Sequence, residues 1–174
     1  MAGIIAITTN SATIQNNTIG SIDASGTSAT TAGGFLGIQT QGSAGVVTTS
    51  NNTIGSATLQ NIRIGYMTTT GVAGGPLSNA GILTSTTTFN AGTLIGIANT
   101  ATGAPLNITA NTIRNLASSV SHTANLNTFL AFLGVINQGS VPGTVNLTNN
   151  NIGTATERCV TYTGTTTGDR KSVV

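Results

Sequence analysis

The chain has 174 residues and a formal net charge of +2, with 5% charged and 38% hydrophobic residues. This length can bury a sizeable core in one domain, and the many β-branched residues exclude a wholly disordered chain. The longest apolar run, residues 129–136, is far shorter than the roughly 20 residues that cross a bilayer. We therefore expect no membrane insertion, and the scattered arginines predict no nucleic-acid partner.

The first predicted element ends in the phrase NNTIGS at residues 16–21. The phrase returns as NNTIGS at 51–56 and as NNNIGT at 149–154. Before Ile19, apolar Ala12 and Ile14 alternate with polar residues, and the other copies show the same alternation. A period of two is typical of a half-buried β-strand. The sequence therefore predicts a short strand in front of each copy of the phrase.

A second marker precedes each phrase. It reads FLGIQTQGS at 35–43, LIGIANT at 94–100 and FLGVINQGS at 132–140. Eighteen residues separate Leu36 from Ile54, and the same spacing joins Ile64 to Ile82. We therefore predict a degenerate repeat that ends at Ile82, between the repeats that end at Ile54 and Ile113. The predicted coils begin near five glycines: Gly3, Gly37, Gly65, Gly96 and Gly134.

These repeats predict an all-β fold, a parallel, right-handed β-helix of about five coils over residues 1–168. Asparagines are expected to stack at intervals of ~4.8 Å and to bond through their amides. The ladder residues are Asn17, Asn52, Asn111 and Asn150. The buried isoleucine column is Ile19, Ile54, Ile82, Ile113 and Ile152. We also expect the ladder asparagines to adopt the left-handed corner conformation, and Gly20, Gly55 and Gly153 to bend the chain again.

The last six residues, DRKSVV at 169–174, are unlike the rest of the chain. They contain three of the eight formally charged side chains. A common sequencing adapter translates in one frame as Asp-Arg-Lys-Ser-Val-Val followed by a stop. We therefore interpret residues 169–174 as a non-native tail.

The repeated NNTI text resembles the parallel β-helix repeat segments of bacterial secreted and cell-surface proteins. Two departures stand out: the repeat ending at Ile82 lacks the asparagine pair, and Arg114 replaces the glycine of the phrase. The resemblance implies a solenoid fold. It leaves function open, because such segments occur in adhesins, surface-layer-like proteins, phage tail spikes and polysaccharide lyases.

Residues that could carry chemistry are few. Outside the tail the carboxylates are Asp23 and Glu157, predicted to lie ~19 Å apart, whereas a glycosidase pair needs roughly 5 to 9.5 Å. His122 has no neighbouring His, Cys or carboxylate, and Cys159 is interpreted as a small buried hydrophobe. We therefore expect no catalytic, metal or cofactor site and no enzymatic activity.

The function predicted from these observations is a structural or adhesive segment, located outside the cell or at its surface. Its neutral Thr, Ser and Asn faces could bind glycans or other cell-surface polymers. Open edges near residues 4–7 and 160–162 predict end-to-end self-association. One alternative is the remnant of a carbohydrate-active β-helix whose active site lies elsewhere. A second alternative is an ice-binding solenoid, although its outward columns do not form a regular threonine lattice.

Overall fold

A computed structural model of the protein describes residues 1–26, 35–42, 45–57, 61–66, 94–119, 132–154, 156 and 159–163. Every regular secondary-structure element in these ranges is a β-strand, and the strands recur in groups of four that we call repeats. The first repeat contains β1 (Ala2–Thr8), β2 (Ala12–Gln15), β3 (Thr18–Ile19) and β4 (Ile22–Gly26). The second contains β5 (Phe35–Gly42), β6 (Val47–Ser50), β7 (Thr53–Ile54) and β8 (Ile62–Tyr66). The third contains β9 (Leu94–Asn99), β10 (Leu106–Thr109), β11 (Thr112–Ile113) and β12 (Leu116–Ser119). The fourth contains β13 (Phe132–Asn137), β14 (Val145–Thr148), β15 (Asn151–Ile152) and β16 (Val160–Thr163).

Each strand pairs with its counterparts in the adjacent repeats, and this produces four four-stranded sheets. The first sheet has the order β1-β5-β9-β13, and the second has β14-β10-β6-β2. The third is β15-β11-β7-β3, and the fourth is β16-β12-β8-β4. Pairing is parallel between all neighbours. This all-β, parallel arrangement is consistent with a β-solenoid. The described residues include no helix long and apolar enough to span a membrane.

The described strands form four repeats, so the predicted degenerate coil is wrong. Ile54 pairs directly with Ile113, which leaves no room for another repeat between them. Ile64 and Gly65 lie in β8 of the fourth sheet rather than at the start of a coil. Ile82 lies outside the described residues, as does the predicted tail at 169–174.

Among the residues that the structure describes, the isoleucine column forms in the predicted register. Ile19 pairs with Ile54, Ile54 with Ile113, and Ile113 with Ile152. Ile54 and Ile113 have no exposed surface. Burial of such a side chain contributes about 1.5–3 kcal/mol relative to exposure. The column is therefore a main source of stability in the core.

A column of glycines in the first sheet makes room for these isoleucines. A Cβ atom on Gly37 would lie 2.7 Å from Cδ1 of Ile54 and 2.5 Å from the carbonyl oxygen of Gly96. The same opposition recurs between Gly3 and Ile19. Packing on the isoleucine column and on the next strand therefore requires glycine at positions 37 and 96.

The corner between the second and third sheets is made by the residue before each ladder asparagine. Asn16, Asn51 and Asn149 have φ values of 58°, 55° and 56°, and Ala110 occupies the same place with φ of 55°. The prediction that the ladder asparagines adopt this conformation is therefore wrong by one residue. Their neighbours do so because asparagine tolerates the left-handed region better than most residues.

The next corner uses one of two adjacent positions. Gly55 and Gly153 have positive φ, as predicted, whereas in the first repeat Ser21 rather than Gly20 does so. In the third repeat the positive φ falls on Asn115, whose Nδ2 donates to the carbonyl oxygen of Ser56 at 2.7 Å. This shift explains how the third repeat accommodates Arg114 in place of glycine.

Ala110 offers a stabilising substitution. We expect Ala110→Asn to raise the free energy of unfolding by about 0.5–1 kcal/mol, because asparagine strains less than alanine at positive φ. Ala110 is exposed, so the larger side chain meets no packing restriction. Denaturant unfolding measures the change. Ala110→Val is the contrasting variant, since a β-branched residue should destabilise this corner; an equal stability of both variants would contradict the assignment.

Candidate functional site

The predicted asparagine ladder is present. Nδ2 of Asn17 donates to Oδ1 of Asn52 at 3.0 Å, and Nδ2 of Asn52 donates to Oδ1 of Asn111 at 3.0 Å. Nδ2 of Asn111 donates to Oδ1 of Asn150 at 2.9 Å. The ladder therefore links all four repeats, and each amide donates towards the repeat that follows in the chain.

Two further bonds reinforce each internal step. The backbone N–H of Asn52 donates to Oδ1 of Asn111 at 3.0 Å, so this oxygen accepts two hydrogen bonds. Nδ2 of Asn111 also donates to the carbonyl oxygen of Thr49 at 2.9 Å. Asn52 and Asn111 are buried, and a buried amide is costly unless its donors and acceptor are all paired. The complete pairing explains why asparagine can occupy this core position.

A second polar ladder, which was not predicted from the sequence, lies at the end of the first sheet. Oγ1 of Thr40 donates to Oδ1 of Asn99 at 2.6 Å, and Nδ2 of Asn99 donates to Oδ1 of Asn137 at 2.8 Å. Nδ2 of Asn99 also donates to the carbonyl oxygen of Ala101 at 2.9 Å. Each of Thr40, Asn99 and Asn137 follows the glycine of its marker, Gly37, Gly96 or Gly134, by three residues. That shared distance is the signal that could have revealed the ladder.

Polar columns run along the outer side of the second and third sheets. On the second sheet, Thr13, Thr48, Asn107 and Asn146 are aligned in register, and Asn107 pairs directly with Thr48. The sequence predicts Pro76 between these two residues, and that part of the prediction is wrong. Nδ2 of Asn146 donates to Oδ1 of Asn107 at 2.7 Å, so the outer asparagines also bond between repeats. A further column, not anticipated from the sequence, aligns Thr18, Thr53, Thr112 and Asn151. The outer face is thus neutral and rich in hydroxyl and amide groups.

The first sheet also contributes a second apolar cluster, separate from the main core. Its most buried members are Leu36, Ile95 and Ala98. Gln39 is aligned with Ala98 and is buried too, and its side-chain donor Nε2 has no hydrogen-bond partner among the described residues. This second cluster was not predicted from the sequence.

The charged candidates do not form a site within the described residues. Asp23 of β4 is aligned with Arg63 of β8 in the register of the fourth sheet, an alignment that was not predicted from the sequence. Glu157 and His122 lie outside the described part of the chain. No group of three His, Cys, Asp or Glu that could hold a metal ion occurs among the residues described.

Cys159 packs against the main core, in agreement with its interpretation as a small hydrophobe. Burial raises the pKa of its thiol to about 12, because the thiolate would lose its hydration. The thiolate is the nucleophilic form of cysteine, so Cys159 is a poor nucleophile at neutral pH.

No protein family profile, curated protein or solved structure matches the chain significantly. The parallel sheets and the asparagine ladder are features that the resemblance of the NNTI phrase to β-helix repeats implies.

Proposed function

We propose that the chain is a non-enzymatic segment of a parallel, right-handed β-helix that works outside the cell or at its surface. In this proposal the stacked repeats act as a stalk, and their outer columns adhere to neutral glycans. It requires no cofactor, metal or nucleic acid. Adhesin-like surface proteins are the class in which such a segment would belong.

The observation that carries the proposal is the neutral asparagine ladder, which runs through all four described repeats. Asn52 and Asn111 hold the interior together without charge, and Asn107 and Asn146 do so on the outer face. Neutral amide bonds are insensitive to the ionic strength of the surroundings, unlike exposed ion pairs. A rigid, uncharged array of hydroxyl and amide groups suits weak, multivalent contact with polysaccharides.

Retention on insoluble neutral polysaccharides, such as cellulose and chitin, tests the proposal. We expect retention that persists in high salt, because the outer columns carry hydroxyls and amides. Replacing Thr18, Thr53 and Thr112 together by valine keeps side-chain shape and strand propensity but removes three aligned hydroxyls. This triple variant should lose retention, whereas Thr8→Val, on the first sheet, is the matched control and should keep it.

Three other outcomes would contradict the proposal. Retention that disappears in high salt would indicate attraction between charges. Release of soluble sugar, lost on changing Asp23 or Glu157, would favour the carbohydrate-active alternative. Thermal hysteresis of ice growth, lost in the triple valine variant, would favour the ice-binding alternative.

A further inference from the structure

Each repeat turns the corner between the second and third sheets with an exposed residue. These residues, which we call the corner column, are Asn16, Asn51, Ala110 and Asn149. The backbone N–H of Asn51 donates to the carbonyl oxygen of Thr109 at 3.1 Å, and Asn16 and Ala110 make the equivalent bond to the next repeat. The corner column therefore advances by one strand spacing, ~4.8 Å, from each repeat to the next.

The corner column lies beside a second exposed column, which belongs to the third sheet. We call this second set the threonine column, and its members are Thr18, Thr53, Thr112 and Asn151. A corner residue and its neighbour in the threonine column are two positions apart in the chain, a distance of at most about 7 Å. Within the described residues no hydrogen bond engages the side chains of either column, and neither column contains a charged residue. Each repeat thus offers two polar groups to a ligand, except at Ala110.

The two columns form a strip that is long in one direction only. The strands of the third sheet contain two residues each, and the chain turns again soon after them, at Ser21, Gly55, Asn115 and Gly153. Across the strands the strip therefore has room for a single polymer chain. In the stacking direction it continues through all four described repeats. A stiff polymer can follow the strip only in the stacking direction.

The spacing of the repeats favours one geometry of glycan. In an extended, β-linked hexose chain of the cellulose type, each sugar advances the chain by nearly the same distance as the strand spacing of ~4.8 Å. Successive sugars are turned over, but each carries hydroxyl groups on both edges, so every repeat meets a hydroxyl. An α-linked chain of the starch type winds into a helix instead. It cannot keep one sugar on each repeat.

We propose that the corner and threonine columns together bind one extended, β-linked glycan chain lengthwise, with one sugar on each repeat. This inference rests on the proposed function and adds to it the linkage and the direction of the bound chain. The amides of Asn16, Asn51 and Asn149 can both donate to and accept from sugar hydroxyls. Ala110 leaves one such contact unmade. Because the sugars are covalently linked, each further repeat that is engaged strengthens the binding of the whole chain.

NMR titration of the protein with soluble oligosaccharides tests this proposal, because it measures weak binding and shows which backbone amides respond. From cellobiose to cellotetraose, we expect the affinity to rise by at least about threefold with each added sugar. Maltotetraose, the α-linked isomer, should bind at least about tenfold more weakly than cellotetraose, because it meets fewer repeats at once. The responding amides should include those of Thr18, Thr53 and Thr112.

Two variants of the corner column should change the affinity for cellotetraose in opposite directions. Ala110→Asn supplies the missing amide and should strengthen binding about threefold, whereas Asn51→Ala should weaken it by a similar factor. Alanine already occupies this corner in the third repeat, so Asn51→Ala should fold. Asn10→Ala is the matched control: it removes an exposed asparagine that lies before β2, outside both columns, and should leave the affinity unchanged.

Failure of this inference differs from failure of the proposed function. If the protein is retained on cellulose but binds cellotetraose no better than cellobiose or maltotetraose, the lengthwise register is wrong while adhesion to neutral glycans stands. Unchanged binding in both corner variants, or an equal loss in Asn10→Ala, would exclude the corner column. Absence of both oligosaccharide binding and retention on cellulose would overturn the inference and the proposed function together.

Discussion

Replacement of Asn111 by leucine should lower the free energy of unfolding by about 3 kcal/mol or more. The side chain is buried and bonds to three other residues: Asn52, Thr49 and Asn150. Leucine has similar size but leaves the donors and acceptors of these neighbours unpaired. Because a domain is stable by only about 5–15 kcal/mol in total, this loss is large. Denaturant unfolding gives the value.

Asn17→Leu is the matched control at the edge of the ladder. Asn17 is only half-buried and accepts no hydrogen bond through Oδ1 from the other described residues, so we expect a loss of about 1 kcal/mol. Equal losses at the two positions would show that the buried ladder is no more important than its exposed end.

The variant Asn111→Asp adds a dependence on pH to the same prediction. Burial raises the pKa of a carboxyl group, so the folded state favours the protonated acid more than the unfolded state does. The variant should therefore be most stable below about pH 3.9, the usual value for aspartate, and should lose stability as the pH rises. A variant more stable at neutral than at acidic pH would contradict the burial of this position.

Replacement of Gly96 by alanine should destabilise the protein by about 1–3 kcal/mol. A Cβ atom there would lie 2.5 Å from the carbonyl oxygen of Gly134 and would also collide with Cδ1 of Ile113. The first contact involves the backbone of a paired strand, so the clash is relieved only by displacing the sheet. Thermal or denaturant unfolding measures the effect.

Gly134→Ala is the control for the glycine column. Its nearest neighbours would be side-chain atoms of Ile152, with Cδ1 at 2.5 Å. Ile152 is half exposed and can move aside, so we expect a loss below about 1 kcal/mol. If Gly96→Ala proved as mild as Gly134→Ala, the strict need for glycine in the third repeat would be disproved.

The strands around the NNTI phrase could be predicted because one residue type recurs at one place. Ile19, Ile54 and Ile152 share both a phrase and a preceding alternation, and Asn111 and Ile113 preserve its essential residues. A side chain that must fill or bond within a column is restricted in every repeat. Its identity is therefore visible in the sequence.

The fourth sheet could not be recognised in the same way. Its strands share only one apolar column, formed by Ile22, Ile62, Leu116 and Val160. Because these strands share little else, the Ile–Gly pair at 64–65 cannot be told from the Ile–Gly pair at 95–96 by sequence alone, and the prediction therefore contains one repeat too many. The predicted position of the left-handed corner is wrong by one residue for a related reason. Both residues of the NN pair are asparagine, so composition does not distinguish the corner residue from the ladder residue.

The equivalence of the repeats has a consequence for the gene. Each repeat offers the same columns to both neighbours, while the links between them, residues 27–34, 67–93 and 120–131, differ in length. Recombination between two copies of the coding sequence that removes or duplicates one whole repeat would join surfaces that already fit. Such an event changes the height of the stack by one strand spacing, ~4.8 Å, and leaves its cross-section unaltered. The number of repeats in the gene therefore sets the length of the molecule, and recombination changes that length by one repeat at a time.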